Sequence, residues 1–331
     1  MSKIIRNTLA AAMTLAFASM PAQADSLKDK LDNIQISGFV DSSWSSTHAP
    51  ATSSPTGFGL DQVELDIEYQ EDNVGMRFDL QGFPSAGGNV AADSLFEQGY
   101  VYVNFPMGDN SATFTFGKFN APIGWELLDA PDMYQFSHAL VFDNGLPTNL
   151  TGASIAGSMG IADIIVYYAD KVDTNGTTTT GVHSTGTRVG LTPMDGLNLG
   201  ISYLSTTNPG ANADRTLDID FTYDAIDSLI IGAEYNEIKT GTIKKGGYFA
   251  TVHYDMTDNF GFTYRFGTFD DNKNLGGEAT SNTFALTSAI GGGLGALFEY
   301  RSIKNNAGST LSSATAGVTT KSYAFEMTYG F

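Results

Sequence analysis

Lys321–Phe331 reads KSYAFEMTYGF, and its alternation decides the fold. Side chains of a strand point to opposite faces in turn. Tyr323, Phe325, Met327, Tyr329 and Phe331 therefore share one face, and Ala324, Glu326, Thr328 and Gly330 share the other. One face is wholly apolar and largely aromatic; the other is small or polar. In a water-soluble sandwich the apolar face is the core, whereas in a membrane barrel it meets lipid and the polar face lines the lumen. The rest of the chain decides which.

The amino terminus points to export. Lys3 and Arg6 precede the apolar run Leu9–Met20, which ends on Ala22-Gln23-Ala24. A basic start, a short apolar stretch and an A-x-A site make a secretory signal peptide over 1–24, with cleavage before Asp25. The polar segment 25–33 follows, expected to form at most one helical turn. Beyond it, the most apolar run, Ile161–Tyr168, is far shorter than the roughly 20 residues a membrane-spanning helix needs. Export without an anchor helix leaves a periplasmic, secreted or barrel-forming protein.

Composition favours the barrel. The chain holds 37 Gly, 22 Phe and 15 Tyr but no Cys, although export permits disulfides. Closure of a sheet on itself satisfies every strand edge without staples. The formal charge is −19, and loss of Lys3 and Arg6 with the leader makes it more negative still. That sign disfavours a nucleic-acid partner.

From Ile34 to Phe331 one unit recurs: about ten alternating residues, then a turn. Val63, Leu65, Ile67 and Tyr69 alternate with Gln62, Glu64, Asp66 and Glu68. Leu217, Ile219, Phe221 and Tyr223 do so with Asp218, Asp220 and Thr222, and Phe260, Phe262, Tyr264 and Phe266 with Gly261, Thr263, Arg265 and Gly267. Short links (71–73, 106–110, 158–160, 193–196, 224–228, 255–259, 290–293) alternate with longer polar ones (45–59, 83–94, 170–185, 270–279, 304–319). That sorting predicts an all-β, transmembrane, antiparallel up-and-down barrel with tight periplasmic turns, long external loops and both termini periplasmic. Strands are expected at 34–44, 60–70, 73–82, 95–105, 111–119, 149–158, 160–169 and 186–193. The second half continues at 197–206, 214–223, 229–238, 247–256, 260–270, 279–289, 294–303 and 320–331. The count is about 16; weak alternation at 149–158 and 279–289 leaves 12 or 14 open. Sixteen strands are too many for side chains to fill the interior, which implies an aqueous channel. Tyr69, Phe105, Tyr223, Tyr254, Phe260 and Tyr329 fall near strand ends, as an interfacial girdle requires.

If the apolar face meets lipid, the alternate positions are luminal. Acidic ones are Glu64, Asp66, Glu68, Asp79, Asp218, Asp220, Glu234, Asp255, Glu299 and Glu326; basic ones are Arg77, Arg188, Arg265 and Arg301, with His253 beside them. The plain reading is wall polarity that keeps a lumen wet. The functional reading is a field in which carboxylate rings favour cations and arginines facing carboxylates orient polar solutes. The acidic excess predicts modest cation preference.

Residues 120–150, NAPIGWELLDAPDMYQFSHALVFDNGLPTNL, break the pattern. Three prolines interrupt regular structure, yet Trp125, Leu127, Leu128, Tyr134, Phe136 and Phe142 need cover. Exposed on the outer surface they would form an apolar patch. Folding inward hides them and narrows the channel, with Trp125, Glu126, Asp129, Asp132, Tyr134, Phe136, His138 and Asp143 at the constriction. Packing over the rim or against a neighbouring subunit are the alternatives.

Gly38-Phe39-Val40-Asp41, Gly117-Lys118-Phe119, Pro122-Ile123-Gly124-Trp125-Glu126 and Thr151-Gly152 resemble the OmpL-like β-barrel porin family, most sharply over 117–152. The resemblance implies a Gram-negative outer-membrane porin passing small hydrophilic solutes or ions, in contact with lipid and lipopolysaccharide. Homotrimers are common among general porins of this size. Phe331, closing an alternating strand, resembles the signal read by the barrel-assembly machinery.

Two other classes fit an exported barrel less well. A plugged structural or adhesive barrel would present its long polar loops, such as 172–187. A hydrolase needs a base beside a nucleophile; His253 with Asp255 two residues on is the nearest approach, and no serine elbow or H-E-x-x-H motif accompanies it. Asp270, Asp271, Asn272 and Asn274 resemble part of a calcium loop but lack its Gly and Glu. No catalytic residue, cofactor or metal ligand is therefore expected.

Overall fold

The computed structural model describes residues 31–50, 55–82, 95–108, 110–170, 172–173, 181–207, 209–210, 212–306, 311 and 317–331. The expected leader and residues 25–30 lie outside them. Leu31–Asn33 forms a 3-10 turn. The strands are β1 Ile34–His48, β2 Thr56–Glu71, β3 Val74–Gly82, β4 Phe96–Met107, β5 Asn110–Asn120 and β6 Asn149–Met159. Next come β7 Ala162–Ala169, β8 His183–Met194, β9 Leu197–Thr207, β10 Asp214–Ile226 and β11 Leu229–Thr240. The last are β12 Ile243–Thr257, β13 Phe260–Asp270, β14 Glu278–Gly291, β15 Leu294–Asn305 and β16 Thr319–Gly330. Between β5 and β6 lie a 3-10 turn, Ala130–Asp132, and helix α1, Leu140–Gly145.

Each strand pairs antiparallel with its sequence neighbours, and β1 closes on β16 to complete a barrel of sixteen. At the seam Phe39 faces Gly330 and His48 faces Lys321. The main chain of Phe331 then exchanges hydrogen bonds with Gly38, at 3.0 and 3.3 Å. Among the described residues no helix is long and apolar enough to cross a membrane; the strands are the wall.

The seven short links are each two residues long. Two-residue hairpins match the twist of their strands only when central residues take positive φ. Asp72 (52°), Gly196 (71°) and Ser228 (66°) do so, as does the Gly292–Gly293 pair. The opposite end carries the long links with one exception. β11 and β12 run on past their expected ends at 238 and 247, pair Lys239 with Lys244, and turn tightly between Thr240 and Ile243.

Polarity is inverted relative to a soluble protein. Phe298, Phe325, Leu286 and Ile201 are each at least 43 % exposed, whereas Arg265 and Glu299 are only 2 % exposed. Along β16 the alternation is direct: Phe325, Met327 and Tyr329 are exposed, Ala324 and Glu326 buried. An apolar belt this continuous is unfavourable in water and is solvated by hydrocarbon. Phe105, Tyr254, Phe260 and Tyr329 stand exposed near the two-residue turns, with Tyr69 and Tyr223 half-buried among them.

Candidate functional site

The side chains on the face of Glu326 form the inner surface, and charge is concentrated on two stretches of it. On β2 and β3 the register sets Asp66 opposite Asp79, Glu68 opposite Arg77 and Glu64 opposite Gln81. Arg77 bonds Asp79 at 2.8 Å and lies 3.7 Å from Asp66. Gln98 on β4 also donates to Asp79, and Tyr102 to Glu68 at 2.8 Å. Gln81 and Gln62 donate to Glu64 at 3.1 and 3.4 Å. A wall crowded with like charge packs because amides, a phenol and one guanidinium sit between the carboxylates.

The second stretch spans β8 to β11. Arg188 makes a bidentate pair with Asp220 at 2.5 and 2.8 Å, reaching across β9. Gly200 faces Asp220 in the register, and a Cβ there would lie 2.3 Å from both Asp220 and the Arg188 guanidinium. The pair therefore depends on that glycine. Asp218 and Glu234, 0 and 2 % exposed, flank it.

The link between β5 and β6 is bonded to inward-facing side chains of β2, β11, β13 and β15. Backbone N–H groups of Trp125, Ala130 and Ser137 donate to Glu234 (2.7 Å), Gln62 (3.2 Å) and Glu299 (3.0 Å). Thr263 donates to the Tyr134 carbonyl at 3.0 Å and Asn236 to that of Gly145 at 3.4 Å. At the centre Glu126 pairs with Arg265, both side chains 2 % exposed. Glu126 also accepts from Gln135 at 3.2 Å and from the Ala139 N–H at 2.6 Å. Arg265 donates in addition to the carbonyl and hydroxyl of Ser137, at 2.6 and 3.1 Å. An irregular segment has backbone groups that no ladder satisfies, and inward carboxylates satisfy them here.

The apolar residues of the link have their own core. Ala139, Leu140 and Val141 pack on Phe249, Phe269, Ala279 and Ile303, which point inward from β12 to β15. The Trp125 ring lies 5.8 Å from Phe249 and over Gly232, whose Cβ would come within 2.4 Å of it. The Tyr134 ring lies tilted against His253 with centroids 4.2 Å apart, and His138 stacks on Phe142 at 4.1 Å.

The residues expected to line the lumen thus divide. Glu234, His253, Arg265 and Glu299 face inward but lie against the link and hold it; Glu126 is buried with them. Arg301 and Glu326, 8 and 4 % exposed, are also covered. Asp132 and Asp143 are exposed, Trp125, Asp129, Tyr134, Phe136 and His138 half-buried. Asp255 sits at the two-residue-turn end, its side chain 53 % exposed and 3.1 Å from His253. Arg77, Arg188 and Arg265 bond Asp79, Asp220 and Glu126, while Arg301 donates to Ser281. Burial, reinforced by Asp132, Asp66 and Asp79, pushes Asp129 up to about 6 against the bond from Gln62. The partial calcium-loop sequence forms turns instead, with Asn272 N–H on Asp270 and Asn274 N–H on Asn272.

Alternation alone misses Asp41 and Glu97, both inward and at most 4 % exposed. Asp41 follows Phe39 on an inner face that starts apolar, which disguises it. Glu97 is displaced by a break in the β4 ladder.

Residues 33–328 match the family described as Putative beta-barrel porin-2, OmpL-like. The chain belongs to this family. Its fold is that of solved porins: the anion-selective porin from Comamonas acidovorans superposes with a TM-score of 0.66 at 15 % identity, covering 90 % of this chain and 99 % of that one. The outer-membrane channel DcaP of Acinetobacter baumannii gives 0.66 at 9 %, covering 90 and 97 %. The trimer form of OmpT from Vibrio cholerae gives 0.62 at 12 %, covering 90 and 99 %. No curated protein matches the chain in sequence. Family and fold are those of an outer-membrane porin.

Proposed function

We propose that this chain is a diffusion porin whose water-filled channel passes small hydrophilic solutes and ions and is narrowed by residues 120–150. The observation that carries the reading is the inverted barrel of sixteen strands with a link bonded to its inner wall. A barrel of this size is not filled by wall side chains. The solute path runs beside the link along β6 to β9, whose inner face supplies the small residues Ser154, Ala156, Gly190 and Ser202 beside the larger Tyr167 and Arg188. Exposed Asp132 and Asp143, with the half-exposed Asp255 that His253 shares, attract cations, while Arg77 and Arg188 are held by carboxylates, so the channel prefers cations mildly. The two-residue turns and both termini face the periplasm, the long loops the exterior. The apolar belt meets lipid, the long loops lipopolysaccharide, and β16 with Phe331 the assembly machinery. A homotrimer fits the trimer form of the similar Vibrio protein. His253, held by Thr263 and Asp255 beneath Tyr134, has a structural role, and no catalytic residue is assigned.

The test is single-channel recording of refolded protein in a planar bilayer under a KCl gradient. Stable open steps with a reversal potential of cationic sign are expected. Folded, inserted protein that carries no current would overturn diffusion in favour of a plugged barrel, the reading that the dense bonding of the link would then support.

A further inference from the structure

Glu97 is the extra residue of a β-bulge: Leu80 pairs with Phe96 and Asp79 with Gln98, leaving Glu97 without a ladder partner. A bulge re-aims side chains that alternation would place elsewhere. Strict alternation from Tyr102 and Gln98 would turn Phe96 inward and Glu97 to lipid. Instead Phe96 is 45 % exposed, and Glu97 and Gln98, 4 and 8 % exposed, both point inward.

What Glu97 meets there is two more carboxylates. Ligand oxygens of Glu64 on β2, Glu97 on β4 and Asp129 in the link all lie within 4.8 Å of one another. Both oxygens of Glu97 are buried without a hydrogen-bond partner. Glu64 and Asp129 receive only the amides of Gln62 and Gln81. Arg77 is bonded to Asp79. Asn120 and Lys118 are the other polar side chains that act on Glu97, and a buried carboxylate aimed at two others is a group that a divalent cation would satisfy.

We propose that Glu64, Glu97 and Asp129 bind a divalent cation of calcium type, which ties the link between β5 and β6 to the barrel wall. The donors are all hard oxygens, the set that calcium takes and that zinc, which prefers nitrogen and sulfur, does not. Calcium–oxygen bonds of about 2.3–2.6 Å set oxygens on opposite sides of the ion roughly 5 Å apart, which suits the observed span. Lumen water completes the shell. The ion sits beside an existing attachment, since Gln62 bonds both the Asp129 side chain and the Ala130 N–H. Its effect is on the link, and the inference holds whichever solute the channel passes.

The test uses the folded full barrel in detergent, stripped with EDTA, freed of chelator and titrated with CaCl2 by calorimetry. One saturable site per chain is expected, with Glu97→Gln and Asp129→Asn each weakening calcium binding roughly tenfold or more. Both variants remove like charge from a crowded site, so both refold as heat-modifiable barrels. Calcium should also slow chymotryptic cleavage within 120–150 in the parent but not in either variant. No calcium binding by the parent, or equal binding by parent and both variants, overturns the proposal. The readout is binding in detergent, so its failure is separate from a failure to conduct.

Discussion

Replacing Arg265 with Met tests how the inner link is held. The substitution leaves Glu126 buried with only Gln135 and the Ala139 N–H as donors, and strips two bonds from Ser137. Breaking one half of a buried ion pair costs about 3–5 kcal/mol. At about 1.4 kcal/mol per decade, the ratio of docked to released link falls roughly a hundred- to several-thousand-fold. The bonds from Trp125 to Glu234 and from Ser137 to Glu299 survive, as does the apolar packing of α1. The link therefore becomes mobile and the barrel stays closed. In planar bilayers Arg265→Met should show raised open-channel noise and excursions to higher conductance, with unchanged heat-modifiable migration on gels. Adding Glu126→Leu removes the stranded charge and should return much of the quiet behaviour, because replacing both halves of a buried pair by apolar groups is often neutral. An Arg265→Met channel with the parent's conductance, noise and protease resistance would refute the reasoning.

Gly232→Ala puts a methyl within 2.4 Å of the Trp125 ring and should displace it; in a Trp44→Phe background, Trp125 emission shifts to the red without loss of the folded barrel. Phe298→Arg, mid-strand beside Leu286 and Phe325 on the exposed face, should cost about 2–4 kcal/mol of folding stability in lipid, read by denaturant titration in vesicles. An unchanged midpoint would deny that this face meets hydrocarbon. Arg188→Gln frees Asp220 from its bidentate partner and should move the reversal potential further toward cations, whereas an unchanged potential would remove Arg188 and Asp220 from the ion path.

The strands were legible because the two faces of each differ so sharply. Phe260, Phe262, Tyr264 and Phe266 against Gly261, Thr263, Arg265 and Gly267 can be read in only one register, and the two-residue turns punctuate every second hairpin. The apolar content of 120–150 was legible as a need for cover. What period 2 cannot tell is whether an inward residue stays open to the lumen. Glu234, Arg265 and Glu299 look the same in sequence as the partly exposed Asp66 and Glu68, yet backbone groups more than a hundred residues away, from Trp125 and Ser137, cover Glu234 and Glu299. Glu97 was hidden for a different reason: one extra residue in β4 reverses the facing of Phe96 and Glu97, and nothing in FEQGYVY marks where the ladder slips. The β11–β12 hairpin runs past the expected ends because Gly241 supplies the positive φ its tight turn needs.

If residues 120–150 narrow an otherwise open channel, removing them widens it. Single-channel recording of a variant lacking 126–143, compared with the parent in the same salt, should show a stable, folded barrel of clearly larger conductance and weaker charge selectivity. A folded deletion variant that conducts no more than the parent would contradict that narrowing.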